Sequence, residues 1–396
     1  MSNNTNYSNN LKIAHWNSNG LQDKFNELKS FIENHNFDII TLNETKFTPK
    51  NNCKLPGYTH YRIDRPPLQN STQNPGGGSL MLVKNTIKHS EVQVNNNSEI
   101  EIIGIRIGNL HVFSTYVPQD KMDETTIDAL LSSSQRVIII GDLNSRHEIW
   151  NCTTSNKNGR TLKNYLNNKS RYVLLYPDGH THYPSNTNHN PSTIELAIVK
   201  NIKYATIETI NDLDSDHLPI ILTLNNSKTP LNPDKKFLNY SKANWNLFRN
   251  YINTSLKITT KLKTEKDIDL AINNITIITQ NAIKTAIPLD KFKLKTNFSN
   301  DEIKNLIKER NKIRRKIQRT GCKILKSKRN QISKIINSKL FELNNKNWKN
   351  KLENVNPKTV HSGSSQKASP KKLIEKYQHF MAHMSLLSKI KKRPIY

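Results

Sequence analysis

Eight short runs of β-branched and aliphatic residues recur between polar loops over residues 11–225, and they limit the fold more than any other feature. They are LKIAHW (11–16), FDIITL (37–42), GSLMLV (78–83), EIIGIRI (101–107), HVFSTYV (111–117), RVIIIGD (136–142), TIELAIV (193–199) and HLPIILTL (217–224). Each has the length of a strand and is bounded by turn-forming residues. Helical spacing is scarcer. Phe25, Leu28, Phe31 and Ile32 predict an amphipathic helix behind the first run, and Asp123–Ser133 and Gly159–Asn168 predict two more. Many strands with few, unevenly placed helices do not suit a doubly wound sheet; they predict an α/β fold of two packed sheets with outer helices. Gly76-Gly77-Gly78 reads as a turn, because no Lys-Ser/Thr pair follows to make it a phosphate cradle.

Charge divides the chain in two. Residues 1–226 hold 21 basic and 21 acidic side chains, whereas 227–396 hold 39 and 11 and so carry the whole formal charge of +28. A block of that sign attracts polyanions, nucleic acid before anionic membrane. No apolar run approaches the roughly 18 residues of a membrane helix. Cys53, Cys152 and Cys322 stand alone, which excludes a disulfide framework and a cysteine zinc site. A soluble, intracellular chain is expected.

The same shifts give an expected domain plan. It runs from a disordered N-terminus (1–10) through a strand-rich domain (11–225) and a proline-containing linker (226–238) to a basic helical connector (239–361) and a partly disordered basic tail (362–396). Connector helices are predicted near 242–257, 264–286, 300–318 and 322–350. Heptad pairing over 303–340 stays open, although Lys and Arg often interrupt the apolar stripe that a coiled coil needs. KIKKRP (389–394) is a weak nuclear import signal.

Six polar motifs stand at the ends of predicted strands or in the loops after them: WNSNG (16–20), NET (43–45), TYVP (115–118), GDLN (141–144), STIEL (192–196) and SDHLP (215–219). Together they offer Asn17, Asn19, Glu44, Tyr116, Asp142, Asn144, Glu195, Asp216 and His217. Carboxylates, amides and one imidazole, with no Cys and no activated Ser, suit hydrolysis of a phosphate ester beside a hard cation such as magnesium. One carboxylate can activate water while amides, a phenol and an imidazole stabilise the growing charge.

In that order the motifs resemble the endonuclease/exonuclease/phosphatase superfamily, and more narrowly the abasic-site-like endonuclease of jockey-type non-LTR retrotransposons. The resemblance covers about residues 11–225 and extends more weakly through NYSKANWNLFRNYI (239–252) and DEIKNLIKERNKIRRKIQRTG (301–321), which are similar to the segment joining endonuclease to reverse transcriptase. It implies a four-layer sandwich of two mainly antiparallel sheets flanked by helices, followed by a mostly α-helical basic extension. The implied activity is Mg2+- or Mn2+-dependent nicking of duplex DNA, leaving a 3′-hydroxyl for target-primed reverse transcription. The polymerase domain is expected to be absent, since no YADD-like motif occurs; element RNA and a reverse transcriptase domain are the further implied partners. A DNA substrate implies work in the nucleus.

Carried over by position, Glu44 would hold the metal with Asn19 and Asp216. Asp142 would orient or deprotonate water, positioned by Asn17, with Asn144 beside the nucleophile. Tyr116 and His217 would contact the scissile phosphate. Glu195 stands where the family has Asp as the partner of His217, and its extra methylene moves the carboxylate by about a bond length. That departure motivates a second expectation, a catalytically decayed remnant that binds nucleic acid through its basic half. A small-molecule phosphomonoesterase ranks last, because the basic half favours a polymer. Arg62, His147, Arg310, Arg314 and Arg315 are candidate nucleic-acid contacts, as are Arg65 and Lys84. His180, His182 and His189 lack the partners of a zinc site, and Trp245 and Trp348 are expected to anchor helices.

Overall fold

The computed structural model describes residues 7–353 apart from 9, 65–75, 95–97, 168, 185, 187, 226–228, 231–235, 257–263 and 292–299. Arg65, KIKKRP and the tail 362–396 lie outside the described residues. In chain order the strands are β1 Tyr7–Ser8, β2 Leu11–Asn17, β3 Ile39–Asn43, β4 Tyr58–Ile63, β5 Ser79–Lys84, β6 Ser90–Val92, β7 Glu101–Ile107 and β8 Leu110–Tyr116. They continue as β9 Arg136–Asp142, β10 Tyr172–Leu175, β11 Glu195–Lys200, β12 Ala205–Thr209, β13 Ile220–Leu224, β14 Thr229–Pro230, β15 Lys236–Leu238 and β16 Leu289–Lys291. The helices are α1 Phe25–His35, α2 Glu124–Ser132, α3 Lys157–Asn167, α4 Trp245–Ser255, α5 Glu265–Ala286, α6 Asp301–Thr320 and α7 Lys323–Glu353.

Two six-stranded sheets form the sandwich, in the orders β12-β13-β2-β3-β5-β4 and β10-β11-β9-β8-β7-β6. The eight apolar runs are the four inner strands of each sheet. The four edges, β4, β6, β10 and β12, are the strands that the apolar runs did not reveal. An edge strand such as Ala205–Thr209 alternates exposed and half-buried residues and so lacks a continuous apolar run.

Each sheet is antiparallel except for one central parallel pair, β2 with β3 and β8 with β9. Parallel neighbours need a crossover, and α1 and α2 supply it. Alternation along β2 shows how the layers close: Leu11 and Ile13 join the core between the sheets, while Ala14 and Trp16 pack under α1 with Leu28, Phe31 and Ile32. On the other sheet, Phe113, Val137 and Ile139 pack against Ile127 and Leu130 of α2 and Leu162 of α3. The architecture is the four-layer α/β sandwich, followed by a helical extension.

Tyr7–Ser8, in the stretch expected to be disordered, pairs with Thr229–Pro230 of the expected linker. Lys236–Leu238, also in that linker, pairs with Leu289–Lys291. Residues 1–347 form one unit and 348–396 a second, of which the described part is the end of α7. Trp245 and Trp348 are 41% and 62% exposed, and Trp245 packs against Tyr240 and Phe248.

Helices α6 and α7 form an antiparallel hairpin turning at Gly321, whose φ of 64° suits a residue without a side chain. Ile303 and Ile313 meet Ile332, Ile336 and Leu340. Lys339 reaches Glu302 and Lys328 reaches Glu309 across the pair. The basic residues that interrupt the stripe face the sandwich instead. Arg310, 1% exposed, grips Glu27 of α1 at 2.9 and 2.5 Å, and Arg314, 6% exposed, donates to Asn211 Oδ1 at 2.9 and 2.5 Å. These two arginines were candidate DNA contacts, and the structure corrects that: both are spent inside the protein.

Removing one partner of a buried ion pair strands the other charge, which typically costs about 3–5 kcal/mol. Arg310→Met is expected to lower unfolding stability by about that much, and Arg310→Met with Glu27→Leu to regain most of it, as read by urea denaturation. A double variant no better than the single one would show that the pair is not the docking contact.

Candidate active site

All six motifs come to one end of the sandwich, because that is where both parallel pairs finish. Asn17 ends β2 in register with Asn43 of β3, and Glu44 follows directly. Tyr116 ends β8 in register with Asp142 of β9, and Glu195, opening β11, is the antiparallel partner of Asp142. Asp216 and His217 lie in the loop before β13, tied to β2 by Trp16 Nε1 donating to the His217 carbonyl at 3.2 Å. Gly141 permits the approach of β9 to β8, since a Cβ there would fall 1.7 Å from the Thr115 carbonyl oxygen.

Asp142 is 1% exposed and takes its hydrogen bonds from both sheets. Asn17 Nδ2 donates to its Oδ2 at 2.8 Å and the Asn144 amide to its Oδ1 at 2.9 Å, while its own N–H donates to Asn43 Oδ1 at 3.1 Å. Asn17 Nδ2 is also 3.0 Å from Glu44 Oε1, which accepts from Tyr116 at 3.3 Å. Asn144 donates through Nδ2 to the Val117 carbonyl at 3.0 Å. Asn19, Glu44 and Asn144 all have positive φ, at 43°, 49° and 43°. Non-glycine residues held in the left-handed region at one rim are a feature of functional sites.

Glu195 is fully buried and its carboxylate hydrogen-bonds His217 Nδ1, so the longer side chain does reach its partner. Burial alone would lower His217, but the charge and hydrogen bond of Glu195, with the charges of Asp142 and Asp216, hold it up at about 9. Burial opposes ionisation of Glu195, yet the charge and hydrogen bond of His217 prevail and keep it below the usual carboxylate range. Nδ1 therefore donates, which leaves Nε2 as the catalytically available edge. Burial, then the charge of Glu195, raises Asp142 to about 7, a value suited to a general base at neutral pH.

Asn19 Nδ2 donates to Asp216 Oδ1 at 3.1 Å, and its Oδ1 accepts from the Lys46 ammonium at 2.6 Å. The carboxylates of Glu44 and Asp216 and the amide oxygen of Asn19 are oxygen donors of the kind that a hard divalent cation takes. Ligand atoms of His182, Asp216 and His217, and of Asp142, Glu195 and His217, also lie within 4.8 Å of one another. The second trio is already committed to the Glu195–His217 hydrogen bond.

Sequence reasoning missed Asn43 and His182. Asn43 looks like the polar first letter of NET, and only the packing of two sheets brings it to Asp142. His182 stacks on His217, centroids 4.4 Å apart, with Nε2 3.8 Å from Asp216; burial, then the charge of His217, lowers it to about 4. Nothing in the THY spacing indicates that contact. Of the remaining candidates, Arg62 is bound to Asp64, Thr48 and Asn51, and Lys84 to Asn36. His147 caps the short turn Glu148–Trp150 and lies against Trp150, and Arg315 is exposed on α6.

Residues 110–221 match the protein family described as endonuclease-reverse transcriptase. Over 367 residues the chain is 27% identical to a probable RNA-directed DNA polymerase from transposon BS of Drosophila melanogaster, covering 90% of this chain and 40% of that protein. It is 23% identical to the RNA-directed DNA polymerase from mobile element jockey of Drosophila funebris, over 87% of this chain and 38% of that one. The chain thus spans about two fifths of the length of these relatives. Among solved structures, the endonuclease domain of TRAS1, a telomere-specific non-LTR retrotransposon, superposes with a TM-score of 0.42 at 14% identity, covering 54% of this chain and 98% of that chain. An AP endonuclease from Leishmania major gives 0.43 at 13%, over 55% and 89%.

The His217–Glu195 pair has a pH signature. A histidine raised from 6.5 to about 9 on folding adds stability that is fully present below about pH 6.5 and is lost as pH rises through about 9. Wild type is expected to lose stability over that window, while Glu195→Gln stays nearly flat, as read by urea unfolding at a series of pH values. Parallel profiles would mean that the pair is not charged in the folded protein.

Proposed function

We propose that this chain is a metal-dependent endonuclease that nicks duplex DNA and leaves a 3′-hydroxyl, within a retrotransposon-encoded protein whose polymerase would extend that end. The observation that carries the reading is Asp142, buried between the sheets, hydrogen-bonded by Asn17 and 3.9 Å from His217, whose Nδ1 is held by Glu195. A bound Mg2+ or Mn2+ at Glu44, Asn19 and Asp216 supplies Lewis-acid stabilisation of phosphate oxygens.

Asp142 takes a proton from water as its oxygen attacks phosphorus, and the bond from phosphorus to the 3′-oxygen breaks. The departing oxygen takes a proton from solvent water and leaves as the 3′-hydroxyl, and the phosphate stays on the 5′ side. Asn144 and Tyr116 border the attacked face, and His217, through Nε2, stabilises the charge that grows on the phosphate. Element RNA and the reverse transcriptase domain are the further partners of this reading, and the nucleus is its place of work.

Plasmid nicking tests it. Wild type with magnesium is expected to convert supercoiled to open-circular DNA, chelator to stop it, and Asp142→Ala and Glu44→Ala each to cost at least about 100-fold, as loss of transition-state groups does. Nicking by Glu195→Asp alone would identify a decayed copy. Intact plasmid in every case, with salt-dependent binding retained, would leave nucleic-acid binding as the activity of the chain.

A further inference from the structure

The connector is bolted to the loop that delivers two of the site residues. Arg314 donates to Asn211 Oδ1, to the Asp212 carbonyl at 3.1 Å and to the Leu213 carbonyl, and Arg329 of α7 pairs with Asp214. Asp216 and His217 follow immediately. At the other end of the hairpin, Asn344 donates to Asn26 of α1 at 2.8 Å. Because the guanidinium contacts are buried, the hairpin holds a set position beside the catalytic rim.

Between hairpin and rim runs a groove of about 520 Å³. Asn19, Lys24 and Asp216 line its catalytic side, and Gln318, Lys326 and Asn330 line the α6–α7 side. We propose that the α6–α7 hairpin is a second wall of the nuclease cleft, seating the phosphate backbone of one DNA strand next to the scissile phosphate. This rests on the endonuclease reading above and extends it to a substrate-contacting surface outside the sandwich.

Three observations point to a phosphodiester backbone. The hairpin wall presents amide and ammonium donors, which suit phosphate oxygens and carry no base preference. Of the two acids that line the groove, Asp214 is neutralised by Arg329 and Asp216 accepts a hydrogen bond from the Asn19 amide at 3.1 Å. Over 301–353 the hairpin has 17 basic and 5 acidic side chains, and with Arg310, Arg314 and Arg329 engaged by the sandwich the excess that remains is still basic and attracts a polyanion. A space of this size takes a stretch of one strand and leaves the rest of the duplex on the rim.

The test uses the full chain, a fluorescein-labelled duplex of mixed sequence and calcium in place of magnesium, with binding followed by anisotropy across a salt series. Lys326→Ala is expected to weaken binding roughly 3- to 10-fold near 0.15 M salt and to flatten the log–log salt slope by about 1. Gln318→Ala should weaken binding less and leave the slope alone. In magnesium, both should raise KM for nicking with kcat within about twofold. Lys346→Ala, on the same helix away from the groove, is the control. Lys326→Ala matching Lys346→Ala in affinity and slope would overturn the proposal, as would a fall in kcat with KM unchanged, which would make the hairpin a positioning element only. A wild type that binds but never nicks would sink the endonuclease reading while the binding series still decides on the wall.

Discussion

A carboxylate 1% exposed between two apolar sheets can be stable only where the protein supplies its hydrogen bonds, and Asp142 draws them from across the sandwich. Asn17 and Asn43, its neighbours from the facing sheet, sit in register at the ends of β2 and β3. Those contacts require the two parallel pairs to end at the same height. The layer arrangement and the site are therefore one constraint: slip either sheet by a residue and the amides turn to the wrong face. The close pass of β9 on β8, possible because position 141 is glycine, belongs to the same requirement.

Charge is handled in two ways on this molecule. At the rim, acids and one histidine are paired so that their proton affinities separate: Glu195 is held ionised, His217 is held protonated, and Asp142 is left near neutrality. That separation is what acid–base chemistry at neutral pH needs. In the connector, Arg310 and Arg314 are buried as structural bolts and Arg329 pairs with Asp214, while Lys308, Lys312 and Arg315 of α6 are exposed, where a polyanion can meet them. The +28 of the chain is thus a mixture of internal and external charge.

Most of the sandwich was legible because inner strands bury both faces and read as unbroken apolar runs. The four edge strands were not: Tyr58–Ile63 is half-buried along most of its length, Ala205–Thr209 alternates exposed and half-buried residues, and both look like polar loop. The helices α4 to α7 were legible from periodicity, but their partners were not. Arg310 and Arg314 sit on the same stripe as Ile303, Ile313 and Ile317, and a one-dimensional pattern cannot tell a guanidinium that binds phosphate from one that binds Glu27 or Asn211.

By itself the sequence determined the residue types at the ends of the strands, the division into a neutral and a basic half, and the order of the six polar motifs. Local chemistry suffices for these, because strand length, turn residues and charge are properties of neighbours in the chain. Only tertiary structure decided that Glu195 reaches His217, that Asn43 and His182 lie beside Asp142 and His217, and that Arg310 and Arg314 of the connector are buried against the sandwich. Each joins residues far apart in sequence, as Glu27 and Arg310 are, and such contacts exist only once the hydrophobic layers have closed and set the distances between them.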